Sequence, residues 1–317
     1  LDARALIHRL GVPFDVTLHD YFAICPQVNL LPFPAAHYCG EPDAAGCNAC
    51  IAQRPSNGAK DILSWRRGYG WLFLEAARVI CPSEDARARL ARHGLADHAI
   101  VVPHEPVEAS PWRLTPPPLR GRKLRVAVLG VLADQKGAQT VITVAEAADP
   151  ATLELHLIGP SEEQMPASVE DRIAVNGPYD DAELPALLAR VRPHVVWFPA
   201  QWPETYSYTL SAALAAGLPV VASRIGAFVE RLEGRPLSWL VDPRAPVEAW
   251  LRCFDQVRQA LTAPRPMPAA QRGAVTDFYA THYLPAPAPR EAGQATRQAA
   301  GGLVDLRRPG RRSVVIV

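Results

Sequence analysis

A chain of 317 residues, 49% of them hydrophobic and 21% charged, has ordinary globular composition, and its length favours two domains over one. Lys plus Arg (33) balances Asp plus Glu (32), so no overall field draws the chain to nucleic acid and no such partner is expected. No apolar run approaches the ~18 residues of a membrane span, and LDARALIHRL lacks the apolar centre and cleavage site of a signal peptide. A soluble cytoplasmic protein is the expectation.

The first half alternates strands and helices. FDVTLHD (14–20) reads as a strand ending on polar residues, His19 among them. Cys25, Cys39, Cys47 and Cys50 follow within 26 residues, the last two as Cys-x2-Cys. Four thiolates of this kind suit a structural zinc site; a disulfide pair or free thiols are the alternatives. Cys81 and Cys253 stand apart and read as small buried hydrophobes. SWRRGYGWLFL (64–74) has the composition of a membrane-surface segment, but it leads straight into the strand ARVICPS (77–83) and reads better as a helix with a basic exposed face. Ser83 is a plausible N-cap for the charged helix EDARARLARHG, with Glu84 and Asp85 in its first turn. HAIVVPHE (98–105) is a third strand, and His104–Glu105 reads as a hinge at the domain junction, with cleft lining as the alternative.

The chain holds 32 prolines, and VVPHEPVEASPWRLTPPPLRG (101–121) reads as an extended linker. The expected divisions are 1–110, a linker over 111–123, a second domain over 124–285 and a disordered tail over 286–317. Within that tail SVVIV is a candidate edge strand.

From residue 124 the pattern is regular: strands LRVAVLG, LELHLIG, RIAVNG and HVVWFPA alternate with the helical runs AQTVITVAEAA and DAELPALLARV. PETYSYTLSAALAAGLPVVAS (203–223) adds turn, helix and strand; FVERL, SWLVDP and VEAWLRCFDQVRQAL close the unit. Such alternation means an α/β fold with a parallel sheet covered on both faces. Ligands of such sheets bind beyond the carboxyl ends of the strands. The informative residues are therefore Gly130 to Gly137, Gly159–Pro160, Gly177 to Tyr179 and Ala200 to Ser207.

Glu204 is read as opening a helix that begins near Thr205, whose first amides attract an anion while the carboxylate meets sugar hydroxyls; the plainer reading is a partner for the helix dipole. Lys136 with Gly137 forms a turn able to neutralise a diphosphate, or else a solvated lysine. The small residues Ala212, Ala213, Ala215, Ala216 and Gly217 let helix and sheet approach closely.

RVAVLGVLADQKG, HLIG, NGPYDDAELPALL and PETYSYTLSAALAAGLPVVAS, over residues 124–262, together resemble the donor domain of family 4 glycosyltransferases. Upstream, VTLHDYFAICPQVNLL, YCGEPD, CNAC, VICPSED and VVPHE resemble a bacterial polysaccharide-biosynthesis branch of that family. The resemblance implies the GT-B fold, two Rossmann-like domains facing a cleft, with the first incomplete at its N-terminal side. It implies a nucleoside diphosphate-sugar donor and a saccharide or lipid-linked acceptor, with possible contact at a membrane surface, and transfer with retention that needs no metal. By resemblance Lys136 contacts the diphosphate and Glu204 the transferred sugar. Gly130, Gly137, Gly159, Tyr179, Thr205, Tyr206 and Ser207 line the donor site, and His19 faces the reacting sugar.

The sequence departs from that pattern twice. Ala212 stands eight positions after Glu204, where a second glutamate would hold the ribose hydroxyls, and Val131 stands where an arginine is frequent. The alternatives are a binding module without turnover and a nucleotide-sugar epimerase of the same fold.

Overall fold

The computed structural model describes residues 3–32, 37–104, 113–119, 121–162 and 165–262, with Phe278, Tyr283 and the backbone of 314–316. Helix α1 (Ala3–Leu10) precedes β1 (Phe14–Thr17), α2 (Ala44–Gln53), α3 (Ile62–Leu74), β2 (Arg78–Cys81), α4 (Glu84–Arg92) and β3 (Ala99–Val101). The second half runs β4 (Leu124–Leu129), α5 (Ala138–Ala147), β5 (Leu153–Ile158), β6 (Ile173–Val175), α6 (Leu184–Val191) and β7 (Val195–Phe198). It continues with α7 (Tyr208–Ala215), β8 (Val220–Ser223), α8 (Ala227–Leu232), β9 (Ser238–Val241) and α9 (Val247–Thr262); β10 (Val314–Ile316) comes last.

Two parallel sheets result, ordered β10-β1-β2-β3 and β6-β5-β4-β7-β8-β9. In the second, the chain leaves β4 towards one edge through β5 and β6, then crosses back to β7 and proceeds to the other edge. The crevice between the carboxyl ends of β4 and β7 is therefore the topological switch point, where such sheets bind ligands.

Burial explains why these segments are strands. All four residues of β7 and all four of β8 are buried, as parallel strands covered on both faces must be. Helices α5 and α9 cover one face, where Trp197 packs on Trp250 and Phe254 with ring centroids 5.4 and 5.2 Å apart. Helices α6, α7 and α8 cover the other with Leu188, Leu210, Ala213 and Phe228. The alanines of α7 have the expected packing role: Ala213 is fully buried and Ala212 rests against this cluster.

Three outcomes in the first half follow from tertiary contacts. The aromatic run in α3 serves the core, since Trp65 and Tyr69 meet Phe22 edge to face and Trp65 Nε1 donates to the Phe22 carbonyl at 2.7 Å. Ser83 caps α4 as expected, its hydroxyl accepting from the Ala86 amide, and Glu230 of α8 accepts from the Glu84 and Asp85 amides at 3.2 and 3.0 Å. A carboxylate at the positive end of α4 thus ties the two halves together. The tail expected to be disordered includes an ordered piece, because Val314–Ile316 pairs in parallel with Phe14–Val16; the remainder of 286–317 lies outside the described residues. Among the described residues no helix is long and apolar enough to cross a membrane.

Candidate functional site

The two loops that leave β4 and β7 meet at the switch point. After β4 the chain makes a 3-10 turn over Asp134–Lys136 and reverses at Gly137, whose φ is 87°. A Cβ at Gly137 would stand 2.1 Å from the Pro199 carbonyl oxygen, so only glycine lets this turn lie against the end of β7. That close approach carries Lys136 onto Glu204. The two side chains form a salt bridge, and Trp202 Nε1 donates to the same carboxylate oxygen at 2.8 Å. Lys136 Nζ also stands 5.6 Å from the centre of the Trp202 ring.

Glu204 is 5% exposed, and a carboxylate so buried requires a charged or hydrogen-bonded partner. Its backbone is equally fixed. The Ala227 amide donates to its carbonyl at 2.9 Å, and a Cβ at Gly226 would come within 2.6 Å of its nitrogen. A cavity of about 20 Å³ beside the pair is lined by Val131, Lys136, Glu204, Ser207 and Thr209.

The helix after Glu204 starts later than expected, at Tyr208 rather than near Thr205, because Ser207 is the N-cap. Ser207 has φ 73° and ψ 92°, a conformation costing a non-glycine residue about 1–3 kcal/mol. Arg231 of α8 holds the turn, donating to the Tyr206 and Ser207 carbonyls at 2.8 and 3.0 Å and to Ser211 Oγ at 2.8 Å. Its guanidinium lies 4.0 Å from the centre of the Tyr206 ring. The strain thus sits at the entrance to the candidate site, and an ion-bearing side chain supports it from below.

Thr205 faces the other half of the molecule, its hydroxyl donating to the His19 carbonyl at 2.8 Å. The His19 ring lies 5.1 Å from that of His104, which in turn lies 6.0 and 6.3 Å from Tyr206 and Tyr208. His104 is therefore part of the cleft wall and not merely a hinge, while Glu105 lies outside the described residues. Burial, and secondarily the charge of His19, lowers the His104 pKa to about 4. At neutral pH His104 is a neutral imidazole whose buried Nε2 has no partner among the described residues.

The other expected donor residues occupy the same rim less directly. A Cβ at Gly130, just after β4, would stand 3.3 Å from the Thr209 methyl group, and one at Gly159 would stand 2.1 Å from the Gly130 carbonyl oxygen, so both glycines serve backbone packing. Tyr179 rests against the apolar cluster under α6, and burial raises its pKa. It is not among the residues lining the small cavity.

Trp202 and Arg231 escaped the sequence reading. Trp202 had a signal, lying two positions before Glu204 in the loop after β7. Arg231 had none, because its reach to the Ser207 turn depends on how α8 packs.

Cys25, Cys39, Cys47 and Cys50 are free thiols that line a cavity of about 240 Å³. Burial pushes the Cys25 thiol up to about 12, with smaller upward contributions from Cys39, Cys47 and Cys50. Burial likewise raises Cys39 and Cys47. Among the described residues no group of three or more His, Cys, Asp or Glu is arranged to hold a metal ion.

Comparison with known proteins bears on the two halves differently. Residues 123–258 match the family model described as Glycosyl transferases group 1. No curated protein matches the chain in sequence. Among solved structures, HepE of Anabaena in complex with UDP is similar at 16% identity and a TM-score of 0.53, covering 81% of this chain and 68% of that one. The same protein in complex with UDP and glucose gives 15% identity and a TM-score of 0.52, over 79% of this chain; the chain spans 65% of that protein's length. The lipopolysaccharide outer core galactosyltransferase WaaB in apo form gives 17% and 0.52, over 70% of this chain and 66% of that one. These likenesses reach across both sheets, and the fold is that of the GT-B glycosyltransferases: α/β, with parallel sheets flanked by helices.

Proposed function

We propose that the chain is a glycosyltransferase that moves a sugar from a nucleoside diphosphate donor to a saccharide or lipid-linked acceptor. The observation that carries the reading is the meeting of Lys136 and Glu204 at the switch point of the second sheet. A cation there suits the diphosphate, and a carboxylate beside it suits the hydroxyls of the attached sugar. The match of residues 123–258 and the UDP named for HepE support the same reading.

In this mechanism Lys136 leaves Glu204 as the donor enters and pairs with the diphosphate, whose charge grows as the glycosidic bond breaks. Glu204, released, accepts hydroxyl hydrogens of the sugar. The amides at the start of α7 add positive potential to the leaving group, and catalysis rests on positioning and charge stabilisation. Among the described residues no side chain at the site is arranged as an obvious covalent nucleophile, which favours front-face transfer with retention. The acceptor would approach past His19 and His104. No step requires a metal.

Ala212 favours a second reading, a donor-binding protein with slow or no turnover. It leaves the ribose diol without the carboxylate that the resemblance would place there. Incubation of the full chain with a panel of nucleotide sugars and saccharide acceptors, followed by mass spectrometry, separates the two. Transfer product supports the enzyme, binding without product supports the second reading, and a new sugar epimer formed from donor alone refutes both.

Ala212→Glu provides a further check on the alignment of the site. A carboxylate restored there is expected to tighten nucleoside diphosphate binding by one to two decades, the equivalent of about 1–3 kcal/mol. The measurement is calorimetric titration, and a deoxyribose analogue should lose the gain.

A further inference from the structure

We propose that Trp202 is a positioning residue for the sugar end of the site, its indole N–H holding Glu204 in place once Lys136 has turned to the diphosphate. The inference rests on the proposed function of this same site. Among the described residues the Glu204 carboxylate has two donors, Lys136 Nζ and Trp202 Nε1, and both use one oxygen, the indole at 2.8 Å. No described residue donates to the second oxygen, Oε2. A carboxylate that is only 5% exposed needs a donor at every stage. When the lysine leaves, the indole is the donor that remains among the described residues. An indole N–H is neutral and only donates, so a diphosphate does not draw it away as it draws an ammonium. Oε2 is then left to the sugar hydroxyls.

The turn that makes this contact is encoded locally. The Glu204 amide donates back to the Trp202 carbonyl at 3.0 Å, and Pro203 between them has its φ fixed by its ring. The chain therefore doubles back and brings the indole of Trp202 onto the carboxylate of Glu204. Glu204 lines the small cavity with Lys136, Ser207 and Thr209, whereas Trp202 is not part of that lining. The indole thus holds the carboxylate from outside the space.

The ring itself is seated between the two halves, packing against the apolar clusters of both. In the first half it meets Tyr21 edge-on, with ring centroids 6.1 Å apart and planes at 80°. Tyr21 is fully buried and lies two residues after His19. On either side of Trp202 the same loop bonds the first half. The Gln201 carbonyl accepts from the Tyr38 amide at 2.8 Å, and the Thr205 hydroxyl donates to the His19 carbonyl at 2.8 Å. Glu204 is therefore aligned by a side chain whose seat needs both halves in contact, which links recognition of the donor sugar to the placement of the first half.

The test uses the full chain, isotope-labelled at its tryptophan nitrogens, with Trp202→Phe, which keeps a ring and removes the N–H, and Trp202→Ala, which removes both. Without ligand, one of the seven indole N–H signals should vanish in Trp202→Phe. That signal should move upfield in Glu204→Gln, whose neutral oxygen is a weaker acceptor. With a nucleotide sugar as donor, Trp202→Phe is expected to lower kcat about 10- to 100-fold, while KM for the donor and affinity for the free nucleoside diphosphate change by less than about twofold. Near-native turnover in Trp202→Phe with loss only in Trp202→Ala would show that ring packing alone matters and would overturn the proposal. An indole signal unmoved in Glu204→Gln would overturn it as well. A chain that binds no nucleotide sugar removes the proposed function instead, and the indole signal still decides whether the tether exists.

Discussion

Glu204→Gln is expected to lower turnover of a nucleotide sugar by about 10²–10³, while the free nucleoside diphosphate binds at least as tightly as before. The substitution is nearly isosteric, keeps an acceptor for Trp202 Nε1, and leaves intact the backbone bonds to Trp202 and Ala227. The turn should therefore survive. What disappears is the negative charge that accepts from the sugar in the transition state and that holds Lys136 when no donor is present. Freed from that pair, Lys136 is available to the diphosphate from the outset. Steady-state kinetics with calorimetry on the same sample makes the comparison; parallel losses of binding and turnover would mean that Glu204 acts only by positioning Lys136.

Glu41→Gln is expected to destabilise the first half by about 3–5 kcal/mol, the usual cost of breaking a buried ion pair by removing one partner. The Glu41 side chain is 5% exposed and accepts from Arg89, from Tyr38 Oη at 2.7 Å and from Arg92 at 2.8 Å, with His93 Nε2 at 3.4 Å. Arg89 is itself buried and, among the described residues, would keep only Asp85 as a charged partner. Burial alone would raise the Glu41 pKa, but the hydrogen bonds from His93 and Tyr38 and the charges of Arg89 and Arg92 prevail, bringing it down to about 2. A depressed folded-state pKa gives stability that is fully present above the unfolded value of about 4.3 and is lost as pH falls towards 2. Urea midpoints measured between pH 6 and pH 3 should accordingly fall more steeply for the native chain than for Glu41→Gln. Equal slopes would show that the cluster contributes nothing to acid sensitivity.

The second sheet was legible in the sequence because its central strands β4, β7 and β8 are buried almost throughout. VVWF and VVAS admit no polar residue that would blur them, apart from the terminal serine, and even the three-residue β6 announced itself. Topology did the rest, since residues following adjacent strands at a switch point must meet, and Lys136 and Glu204 follow β4 and β7.

What stayed hidden lies at longer range. The start of α7 moved to Tyr208 because Ser207 adopts a left-handed φ that Arg231 supports, and local propensity does not encode that support. His104 read as a hinge because the tyrosines that draw it into the cleft are a hundred residues away. The Thr205 hydroxyl bonds the His19 carbonyl 186 residues upstream, a pairing that no local pattern encodes. The strand Val314–Ile316 was undecidable from the five residues SVVIV, and its identity came from the open edge of β1.

The central claim is that Lys136 and Glu204 mark a site for a diphosphate-linked sugar. Titration of a nucleoside diphosphate panel into the native chain and into Lys136→Ala, at two salt concentrations, tests it most directly. The account predicts that at least one diphosphate binds, that Lys136→Ala weakens it by about 10- to 100-fold, and that added salt weakens the native complex more than the variant. Equal affinity of the two proteins for every diphosphate that binds, or no binding by the native chain, would contradict it.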